Sequence, residues 1–114
     1  MTAGNGNLLA GFDPSAPDEL FEALLTLPGV RIERIVSTGQ SSPPGFWYDQ
    51  PWAEWVLVMS GAAGVQFEDE PVPRSMTAGD YLHIAPNRRH RVAWTDPDQP
   101  TVWLAVHIGE PDKA

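Results

Sequence analysis

The chain has no cysteine, few basic residues and no long apolar run. Without cysteine it forms no disulfide framework, no thiolate metal site and no cysteine nucleophile. Seven basic residues face fifteen acidic ones, giving a net charge of −8, which argues against nucleic-acid binding because that binding needs clustered positive charge. No run approaches the ~20 apolar residues of a membrane helix, and the first residues lack a signal-peptide pattern. We therefore expect a soluble, cytoplasmic protein that contacts neither nucleic acid nor membrane.

Proline and glycine, by contrast, are abundant, with twelve and ten among 114 residues. This composition favours short strands joined by many turns. The length allows one domain, and no repeat or low-complexity linker divides it. We predict a single domain over 1–114, with an N-terminal arm and helix over about 1–29 and a barrel over about 30–110.

One segment near the N-terminus predicts a short helix over Ala16–Leu27. Ser15 can cap such a helix, and Pro28-Gly29 would end it. Its apolar stripe would consist of Leu20, Phe21, Leu24, Leu25 and Leu27.

Beyond Gly29 the apolar residues alternate with a period of two, which is typical of strands. Runs bounded by turn residues predict strands at 30–35, 46–50, 54–59, 64–68, 81–84, 91–94 and 101–108. So many short strands must close on themselves or pair as two sheets, because open edges promote aggregation. The predicted fold class is all-β, a jelly-roll β-barrel with a short N-terminal helix. An immunoglobulin-like sandwich is the structural alternative.

Two segments carry motifs with a defined spacing. Glu54 is followed at the seventh position by Gly61, and the segment from Gly79 to His90 reads GDYLHIAPNRRH. This pair of motifs resembles the cupin superfamily, whose members are small jelly-roll barrels, over residues 39–108 or so. Asn87 stands where the family pattern has glycine, which is reasonable because asparagine tolerates a left-handed backbone. The resemblance implies a ligand site inside the barrel.

Cupins with the full pattern hold a divalent metal through His-x-His, the Glu and the second-motif His. Here Tyr48 and Gln50 stand at the His-x-His positions, and a one-residue shift would offer Asp49 instead. On a strand, Tyr48 and Gln50 share one face while Asp49 points to the other. The resemblance thus implies Gln50 (or Asp49), Glu54 and His90 as ligands of a divalent ion: Fe, Mn, Ni or Zn. A set rich in oxygen with one imidazole suits Mn²⁺ or Fe²⁺ better than structural zinc.

Tyr48 and His107 are the candidate catalytic residues, able to move protons. His107 lies on an apolar strand, where it either faces the cavity or is a core histidine with a satisfied partner. His83 sits between Leu82 and Ile84, and there we expect an exposed or sheet-packed side chain.

A basic cluster beside His90, formed by Arg88, Arg89 and Arg91, predicts either salt bridges to nearby acids or a mouth that selects an anionic small molecule. The five tryptophans suit a core, a pocket wall or a dimer interface. Trp55 lies opposite Glu54 on its strand, so if Glu54 faces inward, the Trp55 face needs a cover. We therefore expect a homodimer.

Three functions remain open at this point. The first is a metal-dependent enzyme, dioxygenase- or isomerase-like, that activates an oxygen atom of a small organic substrate. The second is a small-molecule-binding or sensor module with a degraded metal site and no catalysis. The third is a purely structural dimer. A fold alone does not decide among them.

Overall fold

The computed structural model describes residues 4–110 of the chain, and this part consists of β-strands joined by turns and loops. The eight strands are β1 (Leu20–Leu27), β2 (Gly29–Ser37), β3 (Ala53–Ser60), β4 (Ala62–Phe67), β5 (Arg74–Thr77), β6 (Tyr81–Ile84), β7 (His90–Thr95) and β8 (Thr101–Glu110). Within residues 4–110 no helix is long and apolar enough to cross a membrane.

The strands form two antiparallel sheets, ordered β1-β2-β8-β3-β6 and β5-β4-β7. Their inner faces share one apolar core, which includes Val58 and Trp103 from the larger sheet and Phe67 from the smaller one. The all-β jelly-roll prediction is confirmed. No strand ladder joins the two sheets within residues 4–110, so the barrel is open rather than closed.

The predicted helix over Ala16–Leu27 is wrong, because its second half is strand β1. β1 pairs with β2 from Leu20 opposite Val36 to Leu27 opposite Val30. The Pro28-Gly29 pair, read as a helix stop, is the hairpin turn between them, and Gly29 has the positive φ of 74° that such a turn requires. Pairing gives the backbone of β1 partners along β2, whereas an isolated helix of this length is marginal in water.

Two further strand predictions differ from the structure. The segment 46–50 forms an isolated bridge, in which Tyr48 pairs with His90, instead of a strand. β5 was not predicted, since it is only four residues long and has no apolar alternation. The remaining predicted strands overlap observed ones, and 81–84 coincides with β6.

The motif glycine Gly61 occupies the turn between β3 and β4 with a φ of 87°. A Cβ atom there would lie 2.6 Å from the Pro100 carbonyl oxygen and 2.7 Å from the Thr101 Cα. Only glycine fits this close approach of two backbones. The spacing between Glu54 and Gly61 therefore reflects a turn that positions β3.

The exposed apolar side chains concentrate on β1, the edge strand of the larger sheet: Leu20, Phe21, Leu24, Leu25 and Leu27. Trp55, the residue from which a homodimer was predicted, is only partly exposed and packs near the ring of Tyr81. The homodimer stays a prediction.

Candidate functional site

A cavity of about 290 Å³ lies between the two sheets. It is at the lower end of the size range for small-molecule sites. Five of the six residues proposed from the sequence line it: Tyr48, Gln50, Glu54, His90 and His107. Its apolar walls come from both sheets and include Val56, Val65 and Trp103.

Asn87 sets the orientation of the segment that precedes β3. Its backbone is left-handed, with a φ of 61°, as expected for a residue in the glycine position of the motif. Its N–H donates to the Gln50 carbonyl oxygen at 2.7 Å, and its side-chain amide donates to the Asp49 carboxylate at 3.0 Å. Asp49 is thereby held on the exposed surface, while Gln50 lines the cavity.

His90, at the start of β7, presents one ring nitrogen to the cavity. Its side chain is buried, with 5% of the residue exposed. Nδ1 lies 2.8 Å from the Arg88 carbonyl oxygen, and because a carbonyl only accepts, Nδ1 carries the proton. In the neutral ring Nε2 therefore has a lone pair, and this nitrogen lies 3.9 Å from Glu54 Oε1.

Glu54 and Gln50 complete this wall of the cavity. The Gln50 amide nitrogen donates to Glu54 Oε1 at 2.9 Å. Rotation of that amide would present its oxygen in place of its nitrogen. Gln50, Glu54 and His90 thus bring an amide, a carboxylate and an imidazole lone pair together, and we call them the donor wall.

The donor wall offers a divalent ion one carboxylate, one imidazole and, after rotation of the Gln50 amide, one amide oxygen. Residues 4–110 contain no group of three or more His, Cys, Asp or Glu side chains that could hold a metal, so a site with three ligands here would need the amide oxygen of Gln50 beside Glu54 and His90. Structural zinc usually takes four protein ligands, whereas oxygen-rich sets suit harder ions. The chemistry of the donors therefore favours an ion such as Mn²⁺ or Fe²⁺.

Tyr48 lies next to the donor wall. Its backbone exchanges two hydrogen bonds with that of His90, of 2.7 and 3.1 Å, and its ring stacks on the imidazole with centroids 5.4 Å apart. Burial raises the pKa of the Tyr48 hydroxyl, and the charges of Glu19, Glu54 and Glu33 raise it further. The phenol therefore keeps its proton at neutral pH and can donate a hydrogen bond.

The second histidine of the cavity, His107 on β8, has both ring nitrogens engaged. The Trp52 indole N–H donates to Nδ1 at 2.9 Å, so the proton of the neutral ring is on Nε2. Nε2 donates to Glu33 Oε1 at 3.0 Å. The other oxygen of Glu33 accepts from Arg31 at 2.6 Å. His107 therefore lines the cavity without a free lone pair for a metal.

Sequence reasoning missed the charged residues that β2 contributes to the cavity, Arg31 and Glu33, and also Glu19 from the preceding loop. Arg31 and Glu33 alternate with apolar residues on β2, so they share the inward face with Ile35. Charged residues at alternate positions of a predicted strand were the available signal. Arg31 also bonds Glu110, and that hydrogen bond is the main reason its pKa is raised.

The basic cluster beside His90 is engaged with acids and carbonyl groups. Arg88 lies over the Phe67 ring and pairs with acids of the β4–β5 loop at 3.2 and 3.3 Å, and Arg89 pairs with Glu68 at 3.4 Å. Arg91 donates to the Ser42 carbonyl oxygen at 2.8 Å. Of the two roles predicted for this cluster, salt bridges to nearby acids agree with the geometry. Selection of an anionic small molecule stays a prediction. His83 is exposed on β6.

Comparison with known proteins gives one family and several similar structures. A family model described as cupin domain matches residues 33–107, more than half of the chain. A crystal structure from Ralstonia eutropha JMP134, described as that of a candidate mannose-6-phosphate isomerase, is 58% identical. The match covers 91% of this chain and 96% of that chain, with a TM-score of 0.90. No curated protein matches the chain.

Two more distant structures show the fold alone. An RmlC-like cupin family protein from Methanocaldococcus jannaschii is 18% identical, with a TM-score of 0.69 and 89% of each chain covered. The polyketide cyclase RemF from Streptomyces resistomycificus is 19% identical, with a TM-score of 0.71, and the match covers 89% of this chain and 72% of that chain.

Proposed function

This chain belongs to the cupin family, and we propose that it is a metal-assisted, isomerase-like enzyme acting on a small hydroxy-carbonyl compound. The observation that carries the proposal is the donor wall, where Gln50, Glu54 and His90 converge on one side of a cavity of suitable size. The reaction class is supported by the similarity to the Ralstonia eutropha protein, which is described as a candidate isomerase.

The donor wall would hold the ion through Gln50 Oε1, a carboxylate oxygen of Glu54 and Nε2 of His90. When bound, a divalent ion supplies a Lewis acid that polarises a substrate oxygen. The Arg88 carbonyl orients His90 through Nδ1, an arrangement typical of metal-binding histidines. Three protein ligands leave coordination positions open for substrate.

The other polar groups of the cavity would bind and orient the substrate. The protonated Tyr48 hydroxyl donates a hydrogen bond to a substrate oxygen, and Glu33, held by His107 and Arg31, accepts one from a substrate hydroxyl. Glu19 hydrogen-bonds the Ser37 hydroxyl and also lines the cavity, so it is the proposed proton acceptor. Isomerisation moves hydrogen between neighbouring carbon atoms and shifts a proton between their oxygens, so it needs no oxidant or reductant.

Metal binding by single-residue variants tests the proposal. Titration calorimetry with Mn²⁺ should show that Glu54→Gln and His90→Ala each weaken binding by about tenfold or more, since each removes a ligand. Glu68→Gln is the matched control, because Glu68 is an exposed acid that pairs with Arg89 outside the cavity. Unchanged Mn²⁺ affinity in both ligand variants would refute the metal site.

The reaction itself has a direct signature. Incubation of the Mn²⁺-loaded protein with mannose in D₂O should place deuterium on the carbon next to the carbonyl group, visible by proton NMR. His90→Ala should abolish this exchange.

One observation favours a second candidate, a binding module without catalysis. The donor wall has only three donors, one of them a neutral amide, and His107 and Glu33 are already bonded to each other. Such a module would bind a sugar in calorimetry but produce no deuterium exchange with any metal added.

A further inference from the structure

The charged groups that line the cavity are mostly negative. Three carboxylates, those of Glu19, Glu33 and Glu54, face a single guanidinium, that of Arg31. Carboxylates only accept hydrogen bonds, so they bind hydroxyl groups and repel anions. The neutral Tyr48 hydroxyl adds a donor but no charge.

Arg31 is already neutralised by its own neighbours. Its NH1 donates to Glu33 at 2.6 Å, and its Nε donates to Glu110 at 2.8 Å. A substrate phosphate would have to displace one of these two carboxylates. The cavity therefore lacks a guanidinium that is available to an anion.

The other arginines cannot serve a phosphate in the cavity either. Arg34 and Arg74 pair with Glu22 and Glu70. The cluster beside His90 is engaged with acids of the β4–β5 loop and with the Ser42 carbonyl oxygen. Within residues 4–110 no lysine is present. Phosphate recognition depends on such cations. The buried Nε of Arg91 has no hydrogen-bond partner, but Arg31 is the one arginine among the described residues that lines the cavity.

We infer that the cavity selects a neutral hydroxylated molecule, such as a free sugar, over its phosphorylated form. The inference rests on the proposed function, because it names the substrate class of the same site. A divalent ion on the donor wall would balance the excess of carboxylates but would itself attract a phosphate group, so the preference inferred here is that of the protein side chains and is measured without metal. The selectivity would differ from the substrate named for the Ralstonia eutropha protein, mannose 6-phosphate.

Matched pairs of sugars test the inference. Binding of mannose and mannose 6-phosphate, and of fructose and fructose 6-phosphate, would be measured by calorimetry on the metal-free protein, because Mn²⁺ in the cavity would itself bind a phosphate group. We expect each free sugar to bind about tenfold more tightly than its phosphate, the cost of one unpaired anion near like charges. Tighter binding of the phosphates, or no binding of either free sugar, would overturn the inference.

A pair of charge variants sharpens the test. Glu110→Gln removes one carboxylate from Arg31 while leaving the cavity lining intact, so mannose 6-phosphate should bind about threefold more tightly and mannose unchanged. Glu22→Gln is the control, because it changes the net charge equally but releases Arg34, which does not line the cavity. An equal gain in both variants would mean that overall charge, and not Arg31, sets the preference.

Failure of this inference can be told apart from failure of the proposed function. Mn²⁺ affinity is measured on separate portions of the same samples, to which no sugar is added. If Glu54→Gln loses Mn²⁺ binding but the parent protein prefers phosphorylated sugars, only the proposed substrate class is overturned. Unchanged Mn²⁺ binding in that variant would refute the metal site, while the sugar comparison on metal-free protein would still decide the substrate class.

Discussion

His90 and His107 line the same cavity from opposite sheets, and 5% of each residue is exposed. His90 commits one nitrogen to a backbone carbonyl and turns the other toward Glu54. His107 commits both nitrogens, one to the Trp52 indole and one to Glu33. The two histidines are therefore equally buried, but only His90 has a ring nitrogen that is available to a ligand. The state of each ring nitrogen, and not burial, separates a residue that can bind a ligand from one that holds the fold.

The largest effect that separates the two histidines should be on stability. His107→Ala leaves the Trp52 N–H and Oε1 of Glu33 without their partner, which should cost about 3 kcal/mol and lower the melting temperature by about 12 °C. His90→Ala removes a hydrogen bond to one carbonyl and its packing on Tyr48, so less than half that decrease is expected. Thermal melts of the metal-free variants measure both, and equal decreases would remove the distinction.

An intermediate effect should appear when the donor wall is strengthened. Gln50→His replaces the amide with an imidazole beside Glu54, and Zn²⁺ affinity should rise about tenfold, or ~1.4 kcal/mol. Asp49→His is the matched control, because Asp49 is exposed and bonded to Asn87 away from the cavity. If Zn²⁺ affinity rose in Asp49→His and not in Gln50→His, residue 49 and not residue 50 would face the cavity.

The smallest effect concerns alkaline pH. Because folding raises the Tyr48 pKa, the folded protein keeps the phenol proton at pH values where the unfolded chain has begun to lose it. The resulting stability is complete below the ordinary tyrosine pKa of about 10 and is lost as the pH rises beyond it. Metal-free Tyr48→Phe should therefore lose less stability between about pH 10 and 11 than the parent, as measured by melting temperature. If the melting temperatures of the parent and Tyr48→Phe fell equally with pH, Tyr48 would have the same pKa in the folded and unfolded chain.

Much of the fold could be predicted because its signals are local. Period-two alternation and turn residues locate most of the strands, and the tolerance of asparagine for a left-handed backbone accounts for Asn87 in a glycine position. The failure at β1 has a physical reason. A leucine-rich segment has acceptable helical spacing, and only the presence of β2 beside it makes the strand more stable.

The candidate site was predicted in part for the same reason. Motif spacing identifies Glu54 and His90 as candidates but does not decide between Gln50 and Asp49, and the structure places Gln50 in the cavity lining. Glu33 and Arg31 were not proposed, because their alternation with apolar residues shows that they share a face of the strand but not whether that face is the inward one. Their partners, His107 and Glu110, lie more than seventy positions away along the chain.

The sequence by itself determined the all-β class and the family, since these depend on periodicity, turn chemistry and motif spacing within short segments, and the same spacing made Glu54 and His90 candidates. Only the tertiary structure decided that β1 is a strand, that Asp49 faces outward and that His107 is locked while His90 is not. Those outcomes depend on hydrogen bonds between groups far apart in the chain. Such bonds exist only once the sheets have formed, so no local pattern encodes them.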